Sequence, residues 1–303
     1  MMRQFFRFRR VALASIIITA MLFIIGLTIQ QSSSATAFQD SAIEANVALA
    51  ADAFVSNAKP EAKSAETFIE GERKAVVLLY EHNPWAMVLG SDSPTFAMYD
   101  DGLVIFARTN GEGRAEYASV TLSDKERTAF LNALPVERFN ELQPDYELDL
   151  KTDQPTTVLS VGDRTGLKSV RVYGNLQRPL RENDPRAFFE IYQKLKAFAD
   201  ARAARWMPEK VELMIWPYES ASEPLPWPKN WPDTAHPTTK QRGTSKDSIN
   251  FSIYLTPTQY ESLRKQVERK SVDALLINKR KWAFSFRFPF PNEESWRKRA
   301  SDS

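Results

Sequence analysis

The chain has 303 residues, 43% hydrophobic and 12% aromatic, which suits one large packed domain or two small ones and excludes a chain that is disordered throughout. Forty Lys and Arg stand against 38 Asp and Glu; setting aside Arg3, Arg7, Arg9 and Arg10 leaves the remainder near −2, with no overall basic field for nucleic acid. Cysteine is absent, which excludes disulfides, thiolate metal sites, a cysteine nucleophile and a lipid-modified N-terminal cysteine.

The four N-terminal arginines precede an uncharged run, Val11–Ile29, of 19 residues. As a helix it would span roughly 28 Å, close to the hydrocarbon thickness of a bilayer. Gln30, Gln31, three serines and Ala35-Thr36-Ala37 follow. A basic start, an apolar run and a small-x-small step form an export signal, with the N-terminus left on the basic side. Length favours a retained single membrane anchor; Ala35-Thr36-Ala37 favours cleavage before Phe38. Both readings stand. The expected location is a single-pass cell-membrane protein with an extracytoplasmic domain, or a secreted or periplasmic one if Ala37 ends a signal peptide.

Residues 38–72 read as a spacer rich in Ala, Ser, Asn and Glu, partly helical around Ala42–Ala53. The folded part begins near Arg73. Lys74–Tyr80 reads as a strand. Thr95–Tyr99 and Leu103–Arg108 flank Asp100-Asp101-Gly102, a hairpin signal. Arg114–Leu122 adds the third strand of a meander. Ser123 and Glu126 form a capping box that opens a helix to about Leu134. Thr156–Val161 and Leu167–Tyr173 make a second hairpin. Asp184-Pro185 then starts a long helix to about Trp206, with Phe188, Ile191, Tyr192, Leu195 and Phe198 on its apolar stripe.

Lys210–Trp216 reads as a strand. Residues 219–248 hold Pro224, Pro226, Pro228, Pro232 and Pro237 and little periodicity, so they read as an extended loop or linker. Ile249–Leu255 is a strand, and Thr256 with Gln259 caps a helix through Val267. Ala274–Asn278 and Lys281–Phe288 finish with two strands. The strand–cap–helix step at 253–264 repeats the one at 120–131, either as a duplication or as a common way into a helix.

The expected fold is α+β: antiparallel sheets of hairpins and a meander packed against about three helices, after an N-terminal transmembrane or signal helix. The expected organisation is 1–37 signal or anchor, 38–72 spacer, 73–218 α+β lobe, 219–248 Pro/Trp-rich loop, and 249–303 a C-terminal strand–helix–strand–strand part.

Candidate sites are few. Trp216-Pro217, Trp227-Pro228 and Trp231-Pro232 present flat rings on stiff backbone, which suits a sugar or a partner's groove; the same rings also suit pinning the loop to the fold. Trp227, Trp231 and Trp216 are therefore the candidate binding residues. His82 and His236 have no second ligand at a recognisable spacing. Asp145, Glu147 and Asp149 would share one face if extended, as an acidic edge strand or as oxygen ligands for calcium. Lys279-Arg280-Lys281 reads as a solvated turn. Phosphate-loop, dinucleotide and nucleophile-elbow patterns are absent, so neither a cofactor nor a metal is assigned. The leading reading is a binding or interaction module of the cell envelope with a protein or glycan partner and no nucleic acid. The alternative is an extracytoplasmic hydrolase in which His82 meets carboxylates such as Asp100 or Asp145.

Overall fold

A computed structural model describes residues 73–296, apart from Met87, Leu89, Glu112, Leu150, Arg164, Thr165, Ser222 and 243–249. The Val11–Ile29 run and the spacer lie outside the described residues. Among those described, no helix is long and apolar enough to cross a membrane.

The apolar and β-branched runs form strands β1 (Ala75–His82), β2 (Phe96–Tyr99), β3 (Leu103–Thr109) and β4 (Ala115–Thr121), each antiparallel to the next. β2 turns into β3 at Gly102, whose φ of +88° favours glycine and whose absent side chain would strike the Leu122 carbonyl. Strands β5 (Asp145–Glu147), β6 (Thr156–Asp163), β7 (Gly166–Tyr173) and β8 (Ala204–Arg205) complete a sheet ordered β5-β7-β6-β1-β2-β3-β4-β8. Only β5 and β7 run parallel in it.

Three helices cover one face of that sheet: α1 (Asp124–Asn132), α2 (Val136–Asn140) and α3 (Arg186–Lys196). Phe139, Phe188, Ile191 and Leu195 pack there against Val77, Leu79, Phe96, Met98 and Val172. The other face buries Leu78, Tyr80, Ala97, Tyr99 and Ile105 under Phe290 and Trp296. Burial on both faces explains why β1 is continuously apolar instead of alternating.

The second sheet holds β9 (Val211–Pro217), β10 (Leu225–Pro226), β11 (Lys240–Arg242), β12 (Asn250–Leu255), β13 (Ala274–Ile277) and β14 (Arg280–Arg287), ordered β10-β13-β14-β9-β12-β11. β10 and β13 are parallel and the other pairs antiparallel. Helix α4 (Pro257–Lys270) sets Leu263 and Val267 against Leu213, Ile253, Leu255 and Leu275. Two mixed sheets with short helices make the class α+β.

Both capping boxes form. Ser123 Oγ accepts from the Glu126 amide at 3.3 Å and Glu126 accepts from the Ser123 amide at 2.8 Å. Thr256 and Gln259 repeat this at 3.2 and 2.9 Å. Helix α3 stops at Lys196, ten residues before the expected Trp206. Phe198 turns inward to meet Phe96 and Phe106 edge-on at 5.4 and 5.0 Å, and Asp200 accepts from the Arg202 amide at 2.8 Å, closing a turn. Ala204–Arg205 is then free to pair with β4.

The sequence-based division at 218 differs from the sheets. β9 lies between β14 and β12 in the second sheet, and β10 and β11 lie inside the Pro/Trp segment. The break between sheets falls at about 206–210. β9 buries Val211, Leu213 and Ile215 on one face and Glu212 and Met214 on the other, which suits a central strand. Both sheets belong to one compact unit, Ala65–Ser303.

After β14 the chain crosses to the first sheet. The Phe288 amide donates to Ser93 Oγ at 2.8 Å, Tyr99 OH to the Pro291 carbonyl at 3.0 Å, and Asn292 Nδ2 to the Arg73 carbonyl at 2.9 Å. Arg287 is buried between Glu212 and Glu293, and Arg242 reaches Glu212 at 2.5 Å.

Candidate functional site

Strand β14 and the segment after it place an aromatic side chain at every second position: Trp282, Phe284, Phe286, Phe288 and Phe290. Within β14 the extended backbone sends Trp282, Phe284 and Phe286 to one side, and Phe288 and Phe290 follow beyond the strand's end against the first sheet. Phe284, Phe286 and Phe288 form one wall of a cleft of about 1040 Å³ between the two sheets. Tyr260 of α4 meets Phe286 and Phe288 edge-on, at 4.9 and 5.3 Å. Tyr117 of β4 meets Trp206 at 5.9 Å and Phe288 at 5.2 Å, and closes the opposite wall. The loop after β1 contributes Asn83, Ala86 and Asp92 to the same cleft, and Trp85 beside them is 67% exposed.

Charged groups of both signs line this cleft. Glu261 accepts from Arg205 and, at 3.1 Å, from Arg264. Arg264 also pairs with Glu268 at 3.1 Å. Glu116 takes Arg108 at 2.9 Å and lies 3.8 Å from Arg205. Burial works against ionised Glu261, but hydrogen bonds from Arg205 and Arg264 outweigh it and hold its pKa below the usual carboxylate range. Burial raises the pKa of Tyr117 and of Tyr260. At neutral pH Glu261 is therefore an anion and both phenols are neutral. Aromatic faces and fixed charges of both signs thus border one space.

The expected site residues lie elsewhere. Trp227 and Trp231 are half-buried, edge-on to each other at 5.5 Å, against the second sheet. The Trp227 amide donates to the Leu276 carbonyl and its indole N–H to the Pro232 carbonyl, both at 3.1 Å. Trp216 is half-buried opposite Ala283. None of the three lines the cleft.

His82 ends β1 with its Nδ1 3.5 Å from Asp92. Asp100 accepts from the Lys74 amide at the other end of β1, and Asp145 pairs with Arg171 at 2.5 Å. Those carboxylates do not converge on His82. His236 is exposed, with Nδ1 2.9 Å from Thr238 Oγ1. β5 is the edge strand of its sheet and exposes Asp145 and Glu147 on one side, as the acidic-edge reading expects, while Asp149, beyond its end, accepts from the Asn175 amide at 3.2 Å. Among the described residues no group of three His, Cys, Asp or Glu could hold a metal ion.

The alternating aromatics of 282–290 were visible in sequence as a strand pattern. Their pairing with Tyr117, Trp206 and Tyr260 was not, because those residues come from three separate elements. No family model, no curated protein and no solved structure matches the chain.

Proposed function

We propose that this chain is an exported or membrane-anchored binding module of the cell envelope, and that its working surface is the aromatic cleft between β4 and the α4–β14 pair. The observation that carries this reading is the cleft's chemistry. Its aromatic walls offer apolar contact, its rim offers both charges, and two of its three carboxylates, Glu116 and Glu261, are already paired with arginines. The export pattern around Val11–Ile29 supports the location, either as a retained anchor or as a signal cleaved after Ala37. No cofactor is needed.

The test uses a photo-crosslinking amino acid at exposed Lys265, which lines the cleft, in the full chain within producing cells. A discrete adduct in the envelope fraction is expected, with none from the same probe at exposed Lys229 in the Pro/Trp segment. Equal labelling from both positions, or an intact N-terminus on a protein found in the soluble cytoplasm, would overturn the proposal.

The His82–Asp92 pair favours hydrolysis as a second reading, because Asp92 also lines the cleft. In that case His82→Ala should abolish turnover of a captured ligand while leaving capture intact.

A further inference from the structure

β4 is only half covered on its outer edge. β8 pairs with it at Ala118 and Ser119 alone, and the Trp206 amide adds one bond, to the Tyr117 carbonyl at 2.8 Å. The stretch before that point, Arg114, Ala115 and Glu116, lines the cleft.

The ladder determines which way this stretch turns its backbone. The Asn110 amide donates to the Arg114 carbonyl at 2.8 Å, and Thr109 stands opposite Ala115. In an antiparallel pair, successive residues direct their N–H and C=O to opposite sides. Arg114 faces β3, so Ala115 faces away from it, as Tyr117 does. A strand N–H and C=O therefore point toward a space walled by aromatics.

The charges narrow the ligand class. Arg205, Arg264 and Lys265 lie beside Glu116 and Glu261, so a polyanion meets repulsion as well as attraction. An extended peptide supplies matching backbone groups along one edge, side chains for the aromatic walls, and charges of either sign.

Resting on the binding reading above, we infer that the cleft receives an extended peptide segment of a partner protein as an added strand on β4. The chain's own spacer, which ends at Arg73 beside Asn292 at the start of β1, is the competing occupant, and deleting it separates the two.

The experiment presents the full chain to a display library of random twelve-residue peptides and measures affinity for the enriched sequences. Each is then methylated at one backbone nitrogen at a time. Added-strand binding predicts a loss of roughly tenfold at the one nitrogen that donates to the Ala115 carbonyl and little change at its two neighbours, whose N–H groups point away from β4. Ala115→Pro removes a donor that β3 does not use, at the first residue of a strand where proline is tolerated. It should weaken binding by roughly tenfold with the melting temperature unchanged.

Bound peptides indifferent to N-methylation would overturn strand addition. So would an absence of any enriched peptide while the Lys265 adduct persists, and the binding reading would then survive without the peptide. Loss of both would sink the two together. Tighter peptide binding after deletion of residues 38–63 would show that the spacer occupies the cleft, which overturns the partner assignment.

Discussion

At the scale of single residues, backbone geometry makes the sharpest demands. The β13–β14 hairpin turns through Asn278 and Lys279, with φ of 49° and 64°. Two left-handed residues in a two-residue loop are the geometry that Asn-Gly serves best. Lysine there carries a strain of about 1 kcal/mol, and glycine would give back about 0.5 kcal/mol through its greater unfolded-state freedom. Lys279→Gly is therefore expected to stabilise the fold by roughly 0.5 kcal/mol, read as a higher denaturant midpoint at constant slope. A lower midpoint would contradict this account of the turn. The two caps give a matched pair: Ser123→Ala and Thr256→Ala should each cost about 1 kcal/mol. Both boxes were legible from four residues of sequence, because a capping box is a local motif whose donors and acceptors lie three residues apart.

At the scale of elements, the Pro/Trp segment is tied to the second sheet by β10 and by the Trp227 amide, and the indole of Trp227 closes the segment on itself at the Pro232 carbonyl. Trp227→Ala removes a half-buried ring and one hydrogen bond, and should cost roughly 2 kcal/mol. Calorimetry of Trp227→Ala with Trp231→Ala separates the two roles these rings can have. A large fall in melting temperature marks them as fasteners. An unchanged melting temperature with lost ligand capture would return them to the candidate binding surface. Sequence could not decide between these roles, since a tryptophan beside a proline looks the same whether its ring lies on a sheet or faces solvent.

At the scale of the whole molecule, a charge chain, buried except at Arg242, joins the sheets. Arg242, Glu212, Arg287 and Glu293 run from β11 through β9 and β14 to the segment that covers the first sheet. Burial disfavours ionised Glu212, but Arg287, Ser252 and Arg242 outweigh it and hold its pKa below the ordinary carboxylate value. A depressed folded-state pKa stabilises the protein above the unfolded pKa, and that contribution is lost as pH falls through the folded value. Stability should therefore be flat near neutrality and fall below about pH 4. Glu212→Gln leaves Arg287 with one carboxylate and should cost about 3 kcal/mol, while flattening the acid limb. An acid limb as steep as before would show that other carboxylates govern the transition.

The sequence by itself determined the long strands, the two capping boxes and the hairpins, but not the short strands β8, β10 and β11, because alternation, turn residues and capping boxes act within a few positions of each other while a two- or three-residue strand exists only through its partner. It also carried the aromatic alternation of 282–290, of which Phe284, Phe286 and Phe288 line the cleft. The tertiary structure decided which sheet each strand joins. β9 reads as the close of the first lobe, yet its two buried faces are satisfied only between β12 and β14. The tertiary structure alone brings Tyr117, Trp206 and Tyr260 to Phe288, and leaves Ala115 unpaired by β8 at the same edge. The physical reason is range. A local motif is complete in its own hydrogen bonds, whereas a cleft exists only where surfaces distant in the chain pack side by side and stop short of contact.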